Sequence, residues 1–273
     1  MNLKELASEL GLSQTTVSRA LNGYPEVAEI TRRRVVDAAD RHNYRPNTRA
    51  RSLATGRTMA IGHVIPLSTK HEMLNPIFTD FIAGAGETYH RNGYDMVLSV
   101  VSDGDEAKVY RELAATHGVD GVIVHAPRIA DPRIVLLQQI GLPFVVHGRS
   151  TCGDDGYSWL DVNNRRAFRR ATEFLVDLGH QRIALINGIE TMDFAARRRD
   201  GYLRGLRARG IAPEAELMTS DEMTEGYGFR AARSLLARPD PPTAFLVSSI
   251  IPAIGVRRAI EAAGLRMGRD VSV

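Results

Sequence analysis

Cysteine is nearly absent: Cys152 is the only one in 273 residues. A disulfide framework and a Cys-rich zinc site are thereby excluded, and a reduced, cytoplasmic setting fits. A lone cysteine is more often a small packed side chain than a nucleophile. Long apolar runs are missing too; none approaches the roughly 18 residues that suggest a membrane-spanning helix. The opening MNLKELASELG is amphipathic and acidic, without the apolar stretch of an export signal. Single glycines such as Gly104 and Gly188 form neither GxGxxG nor a phosphate loop. Ser248–Ser249 has no GxSxG frame, and His63, His71, His125, His147 and His180 lack a compact metal spacing. No acid/base pair or nucleophile arrangement emerges, so an enzyme is not indicated and no cofactor or metal is expected.

What is present is a chain long enough for two or three domains, with the composition of an ordinary soluble protein. Its formal net charge of +3 is unevenly spread. Residues 1–57 hold ten Lys/Arg against six Asp/Glu, whereas the remainder holds 25 against 26. A basic head on a neutral body suits nucleic-acid binding, although short basic segments are often only solvated surface.

The head carries a motif. Asn2 is placed to cap a helix with Glu5 three residues on, and Leu3, Leu6, Ala7 and Leu10 form its apolar stripe. Gly11 ends that helix and Ser13 caps the next. Helix, glycine turn and helix make a helix-turn-helix candidate. In the second helix Val17, Ala20 and Leu21 face the core, with Leu12 at its entrance. Gln14, Thr15, Ser18 and Arg19 remain for the outer face. Glutamine matches an adenine edge, arginine a guanine edge, and hydroxyls suit phosphates. The plainer alternative is a solvated face on a small bundle.

Asn22–Gly23 with Pro25 forms the next loop. Thr31 is expected to cap a third helix reaching His42, with Val35, Val36 and Ala39 for the core and Tyr44 packed on the bundle. Arg32, Arg33 and Arg34 crowd the first turn, where the dipole disfavours cations, so phosphate contacts are a fair explanation. NTRARSLATGRT follows, with Arg49, Arg51 and Arg57. It is too short for a stable free helix; either it orders on DNA with Leu53 as a minor-groove wedge, or it is a basic linker.

ELGLSQTTVSRALNGYPEV, followed by TRRRVVDAADRHNYRPNTRARSLATGRT, resembles the head and hinge of the lactose-repressor/galactose-repressor family. It is similar in particular to repressors of alpha-glucoside utilisation operons. The resemblance implies that Gln14, Thr15 and Arg19 read base edges, while Ser13, Thr16 and Ser18 sit near phosphates and Asn22 adjoins them. It makes Leu53 the minor-groove wedge. Asn47 to Leu53, with Arg49 and Arg51, becomes a hinge helix that forms when two subunits meet on an operator.

Beyond residue 58 the pattern changes. MAIGHVIP, YDMVLSV, DGVIVHA and LPFVVHG are strand candidates without a clean polar face, alternating with helices near 78–91, 105–117 and 131–140. After SWLDV come helix 163–178, strand RIALING, helices 195–209 and 225–237, strand AFLVSS, helix 252–263 and a last strand starting at VSV. Buried strands alternating with helices predict a doubly wound parallel α/β fold in two lobes. Ligands bind such sheets outside the carboxyl ends of the strands. The cleft candidates are therefore Ser68–Pro76, Ala126–Arg128, His147–Ser150, Gly188–Arg198, Asp221–Met223 and Ser248–Ile251.

This body also resembles the family's periplasmic-sugar-binding-like core. DLGHQRIALING matches a family signature in which His180 is structural. RRRDGYLRGL matches an Arg-x-x-Gly-aromatic motif that makes Arg198 the effector-binding arginine, its planar fork suited to vicinal hydroxyls. Asn75, Phe78 and Asp161 fall near other cleft-facing positions. Sugar-binding members commonly carry an aspartate in the segment matching VSSIIPAIG, where this chain has Ile250, so the polar work is expected to pass to Ser248 or Ser249. Family members also continue past VSV, so the last lobe is expected to be partial.

The expected organisation is a helix-turn-helix head at 1–46, a hinge at 47–57, an N-terminal lobe at 58–160 and a partial C-terminal lobe at 161–273. The expected function is a homodimeric transcriptional regulator of a sugar operon, released from double-stranded operator DNA by a small-molecule effector. Residues 80–92 and 105–117 are candidates for the dimer interface. An activator, or a regulator answering to a non-sugar effector, is the alternative. A solute-binding protein would carry an export signal, and a non-specific chromatin protein would show no sequence discrimination.

Overall fold

Three short helices begin the chain: α1 (Leu3–Leu10), α2 (Gln14–Leu21) and α3 (Glu29–Arg41). The computed structural model describes residues 1–44, 56–66, 76–102, 104–151 and 156–273. α1 starts with the full capping box, Asn2 Oδ1 accepting from Glu5 N–H at 3.0 Å and Glu5 accepting back from Asn2 N–H at 3.0 Å. It ends at Gly11, whose φ of 65° is the left-handed conformation an L side chain resists. α2 is capped by Ser13, whose Oγ accepts from Thr16 N–H at 3.0 Å. Leu6, Ala7, Val17, Ala20, Val35 and Ala38 close the small core, and Tyr44 packs against it.

Two expectations for α3 are corrected. It starts earlier, after Ala28, and Thr31 lies inside its first turn, donating to the Ala28 carbonyl at 2.9 Å. No side chain caps it. Val36 points outward, 39% exposed, and Ala38 takes the core position beside Val35 and Ala39.

Residues 60–273 form a second unit, distinct from 1–59. Its first sheet has the order β2-β1-β3-β4-β5, from β1 (Ala60–Pro66), β2 (Asp95–Val101), β3 (Gly121–His125), β4 (Phe144–His147) and β5 (Ser158–Leu160), all parallel. Helices α4 (Pro76–Arg91), α5 (Glu106–Ala115) and α6 (Pro132–Ile140) intervene. The second sheet, β7-β6-β8, uses β6 (Ile183–Asn187), β7 (Met218–Ser220) and β8 (Ala244–Val247), again all parallel. Its helices are α7 (Asn164–Asp177), α8 (Asp193–Ala208), α9 (Glu225–Leu236) and α10 (Ile250–Ala262).

The central strands are buried, as unbroken apolar runs require: every residue of β6 is inaccessible. β2 departs from that expectation. It is an edge strand that leaves Leu98 and Val100 nearly half exposed. β7 is a strand of three residues, Met-Thr-Ser, too short for its sequence to announce. The start of the last strand does form a pairing, with Ser272 bridged in parallel to Ala244 and accepting from Phe245 N–H at 2.9 Å. His180 is structural, its ring nitrogens each 2.9 Å from the hydroxyls of Thr243 and Ser272.

Two helix pairs pack backbone to backbone through glycine. A Cβ on Gly201 of α8 would collide with the Arg165 carbonyl on α7, and one on Gly205 would lie 2.6 Å from Thr172 Cβ. Gly228 of α9 and Gly255 of α10 sit equally close to opposing backbone. The α7–α8 approach brings Asn164 and Arg198 to the same end of the helix pair, at the cleft. No helix among the described residues is long and apolar enough to cross a membrane.

Candidate functional site

The outer face of α2 is built as its sequence suggests. Gln14, Thr15 and Arg19 stand exposed, with Ser18 half-buried beside them. Ser13 and Thr16 are engaged in capping, their hydroxyls 2.8 Å apart. Asn22 commits its amide to the helix end, donating to the Ser18 carbonyl at 2.8 Å. The exposed set therefore reduces to one long guanidinium and two shorter polar groups on a helix fixed at both ends. That is the chemistry that reads base edges in a major groove.

The arginine cluster of α3 is less available than its sequence suggests. Arg32 donates to the Tyr24 carbonyl at 2.8 Å, fastening the loop between α2 and α3, and Arg34 reaches the Leu10 carbonyl at 3.4 Å. Arg33 pairs with Glu29 at 3.2 Å. These bonds tie the head together, so a role in phosphate contact is not needed to explain the cluster. Asn47, Arg49, Arg51, Leu53, His71, Asn75 and Cys152 lie outside the described residues.

In the second unit a cavity of about 580 Å³ opens at the carboxyl ends of both sheets. Phe78, Asp161, Arg198 and Ser248 all line it, joined by Phe81, His125, His147, Asn164 and Phe194. Its volume falls in the range of small-molecule sites, and its walls combine apolar rings with a few converging polar groups. Arg198 is pinned by Asn164 Oδ1, which accepts from Nε at 2.8 Å, and by the Ser248 carbonyl, which accepts from Nη1 at 2.9 Å. Its guanidinium lies 4.8 Å from the Phe194 ring and 5.3 Å from that of Phe168. A planar donor held this way loses little freedom when a ligand arrives.

Asp161 accepts from Asn164 Nδ2 at 3.2 Å and has Arg149 at 3.9 Å. Burial raises its carboxyl above the usual range, while the Arg149 and Arg197 cations pull the other way and favour the charged form. The hydroxyl oxygens of Ser248 and Ser249 are buried at the cleft without a protein partner. Ile250 is 56% exposed at the start of α10. The loop after β3 is held by buried Arg133, which donates to the carbonyls of His125 and Ala126 at 3.1 and 3.2 Å and pairs with Glu106 at 3.0 Å and Asp131 at 2.6 Å.

Comparison with known proteins reports both parts of the chain. Residues 2–47 match the bacterial regulatory proteins of the lacI family, and residues 58–273 match the periplasmic binding proteins and sugar binding domain of LacI family. The chain is 46% identical to the HTH-type transcriptional regulator AglR of Rhizobium meliloti (strain 1021), over 100% of its own length and 76% of that protein's. The chain belongs to the LacI family. It is a DNA-binding transcriptional regulator, not an enzyme. Among solved structures it is similar to the lac repressor dimer bound to operator and the anti-inducer ONPF, with 28% identity, TM-score 0.83 and coverage of 100% of this chain and 81% of that one. It is also similar to a transcriptional regulator CelR–cellobiose complex, with 30% identity, TM-score 0.72 and the same coverage of each chain.

Several cleft residues of this LacI-family chain escape sequence reasoning. Asn164 reads as a helix start, yet its side chain joins Asp161 to Arg198. Phe81 looks like an ordinary core position, whereas Phe194 falls inside the Gly188–Arg198 segment expected at the cleft. Three of the histidines converge: His63 Nδ1 is 2.8 Å from His125 Nε2, and His125 Nδ1 is 3.3 Å from His147 Nδ1. The signal lies in strand register, which a single sequence does not print. Among the described residues no group of three or more metal-ligating side chains is arranged to hold an ion.

Proposed function

We propose that this regulator is a cytoplasmic, homodimeric repressor of an operon for alpha-glucoside use, released from its operator when a glycoside occupies the cleft. Arg198 carries the reading: a guanidinium fork, pinned between two aromatic rings by Asn164 and Ser248, beside the Asp161 carboxylate. Vicinal hydroxyls suit the fork and the carboxylate, and the faces of Phe78, Phe81 and Phe194 suit the apolar face of a pyranose. The likeness to AglR, and the cellobiose named with CelR, support a glycoside over a charged effector.

In this reading residues 1–46 are the DNA-reading head, 47–57 the hinge, and 58–160 and 161–273 the two lobes. Gln14, Thr15 and Arg19 contact bases. Ser13, Thr16, Ser18 and Asn22 set the helix against phosphates, Leu53 is the minor-groove wedge of the hinge that starts at Asn47, and Arg49 or Arg51 contacts the DNA backbone. Phe78 belongs to the N-terminal wall of the cleft, and Asn75, outside the described residues, is assigned to effector binding by the family resemblance alone. Binding shifts a two-state equilibrium only by the effector's differential affinity for the two states, so the cleft must close differently in each. Isothermal titration with maltose, trehalose, sucrose and cellobiose tests the effector class. Micromolar-range binding of an alpha-glucoside supports it, and silence from every glycoside overturns it.

A further inference from the structure

Strand register lines up the histidines. His125 is paired directly with His147, and His63 is paired with Ile123, two residues before His125, so all three rings share one face of the sheet. The row continues to α4, where Tyr89 Oη lies 3.2 Å from His63 Nε2. Phe81 stacks on His147 with centroids 4.3 Å apart and planes 11° apart, and Phe78 and Phe81 each meet His125 edge-on at 5.1 Å. The row thus runs from half-buried Tyr89, through fully buried His63, to two rings that line the cleft.

The rings are neutral. Burial pushes His125 down to about 3, helped by His63, His147 and Arg133, and pushes His63 down to about 4. His147 is lowered by burial, against the pull of Asp161. A neutral imidazole has one N–H and one bare nitrogen, so a hydrogen-bonded row has only two orders. In one, Tyr89 donates to His63 Nε2, His63 Nδ1–H to His125 Nε2, and His125 Nδ1–H to His147 Nδ1, leaving His147 with a proton on Nε2. In the other, every proton moves to the opposite nitrogen and His147 Nε2 is bare. Asp161 lines the same cleft as His147 and directly follows Leu160, the strand partner of His147, so its carboxylate favours a proton on the His147 nitrogen left outside the row. Within the row the two orders satisfy the same nitrogens, because the Tyr89 hydroxyl can donate or accept, so the carboxylate at the cleft end decides between them.

We propose that the Tyr89–His63–His125–His147 row fixes His147 as an Nε2–H donor beside the Asp161 acceptor, so that the cleft selects a hydroxyl able to accept from one and donate to the other. Tyr89 and His63 are then positioning residues for effector binding, although neither is among the residues lining the cleft. A carboxylate cannot donate and an ammonium cannot accept, so neither meets both demands. The inference rests on the reading of the cleft as a glycoside site.

Long-range 1H–15N correlation of the histidine-labelled, ligand-free chain reads the order directly. The expected pattern is Nδ1–H on His63 and His125 and Nε2–H on His147. Tyr89→Phe should leave the chain folded, blur that pattern toward averaged nitrogen signals and weaken maltose binding several-fold. A wild-type His147 carrying its proton on Nδ1 overturns the proposal, as does a Tyr89→Phe chain with unchanged tautomers and unchanged maltose affinity. If the wild type binds no glycoside, the effector reading fails, and the ligand-free tautomers still decide the order of the row.

Discussion

Arg19 and Arg198 divide the work of the molecule, and their surroundings explain why each suits its part. Arg19 is exposed near the end of a short capped helix, free to meet a base edge. Arg19→Ala should lose discrimination at one base pair by about 1–3 kcal/mol. Competition binding with operators altered one pair at a time checks this, and a variant that keeps the full preference at every pair refutes it. Arg198 is already hydrogen-bonded and ring-stacked, so its geometry precedes any ligand. Arg198→Ala should abolish glycoside binding and leave operator affinity intact, as calorimetry and gel shift on the same preparation will show. Both arginines are legible in the sequence because each sits in a long motif. Asn164 is not, since its task depends on α7 and α8 lying side by side, and nothing local to Asn164 states that.

Among the elements, the α7–α8 pair positions the cleft. The motif RRRDGYLRGL spells out an arginine, then a glycine three residues later where the Arg165 carbonyl leaves no room for a Cβ. The aromatic after it, Tyr202, is buried and donates to the Ile183 carbonyl at 2.7 Å, locking α8 to β6. Gly201→Ala should destabilise the second unit by roughly 1–3 kcal/mol through overpacking and weaken effector binding by moving Arg198. Urea unfolding and calorimetry check both, and unaltered stability contradicts the packing argument.

The histidine row makes a second prediction at this scale. His63 and His125 are neutral in the fold with depressed basicity, whereas in the unfolded chain each takes a proton near the ordinary 6.5. The unfolded state therefore binds more protons below about pH 6.5, so this contribution to stability is complete above that value and is lost as pH falls toward about 4. The loss is on the order of a few kcal/mol. The denaturation midpoint should drop between about pH 7.5 and pH 5, and a flat profile contradicts the buried, neutral assignment. Periodicity gives no hint of this row: the three residues stand far apart in sequence and meet only through the β1-β3-β4 order.

At the scale of the whole molecule, the division into a basic head and a neutral α/β body is readable from charge and periodicity alone, because the helical head and the βα repeats have different periods. The alternation of strands and helices yields the parallel sheets and their order of appearance. It does not show which strands lie at the edge, so exposed Leu98 and Val100 on β2 go unforeseen. Nor does it show β7, whose pairing with β6 is decided by tertiary contact rather than by any pattern in its three residues.

Paired reading of DNA, released by a glycoside, is the behaviour proposed for this LacI-family chain. Selection of binding sites from a random duplex pool, with the recovered duplex then titrated in the absence and presence of maltose, tests it most directly. The expected result is enrichment of one inverted repeat whose two halves are spaced for successive major grooves, bound less tightly when maltose is present. A pool that stays random, or an enriched site with no two-fold symmetry, would contradict it.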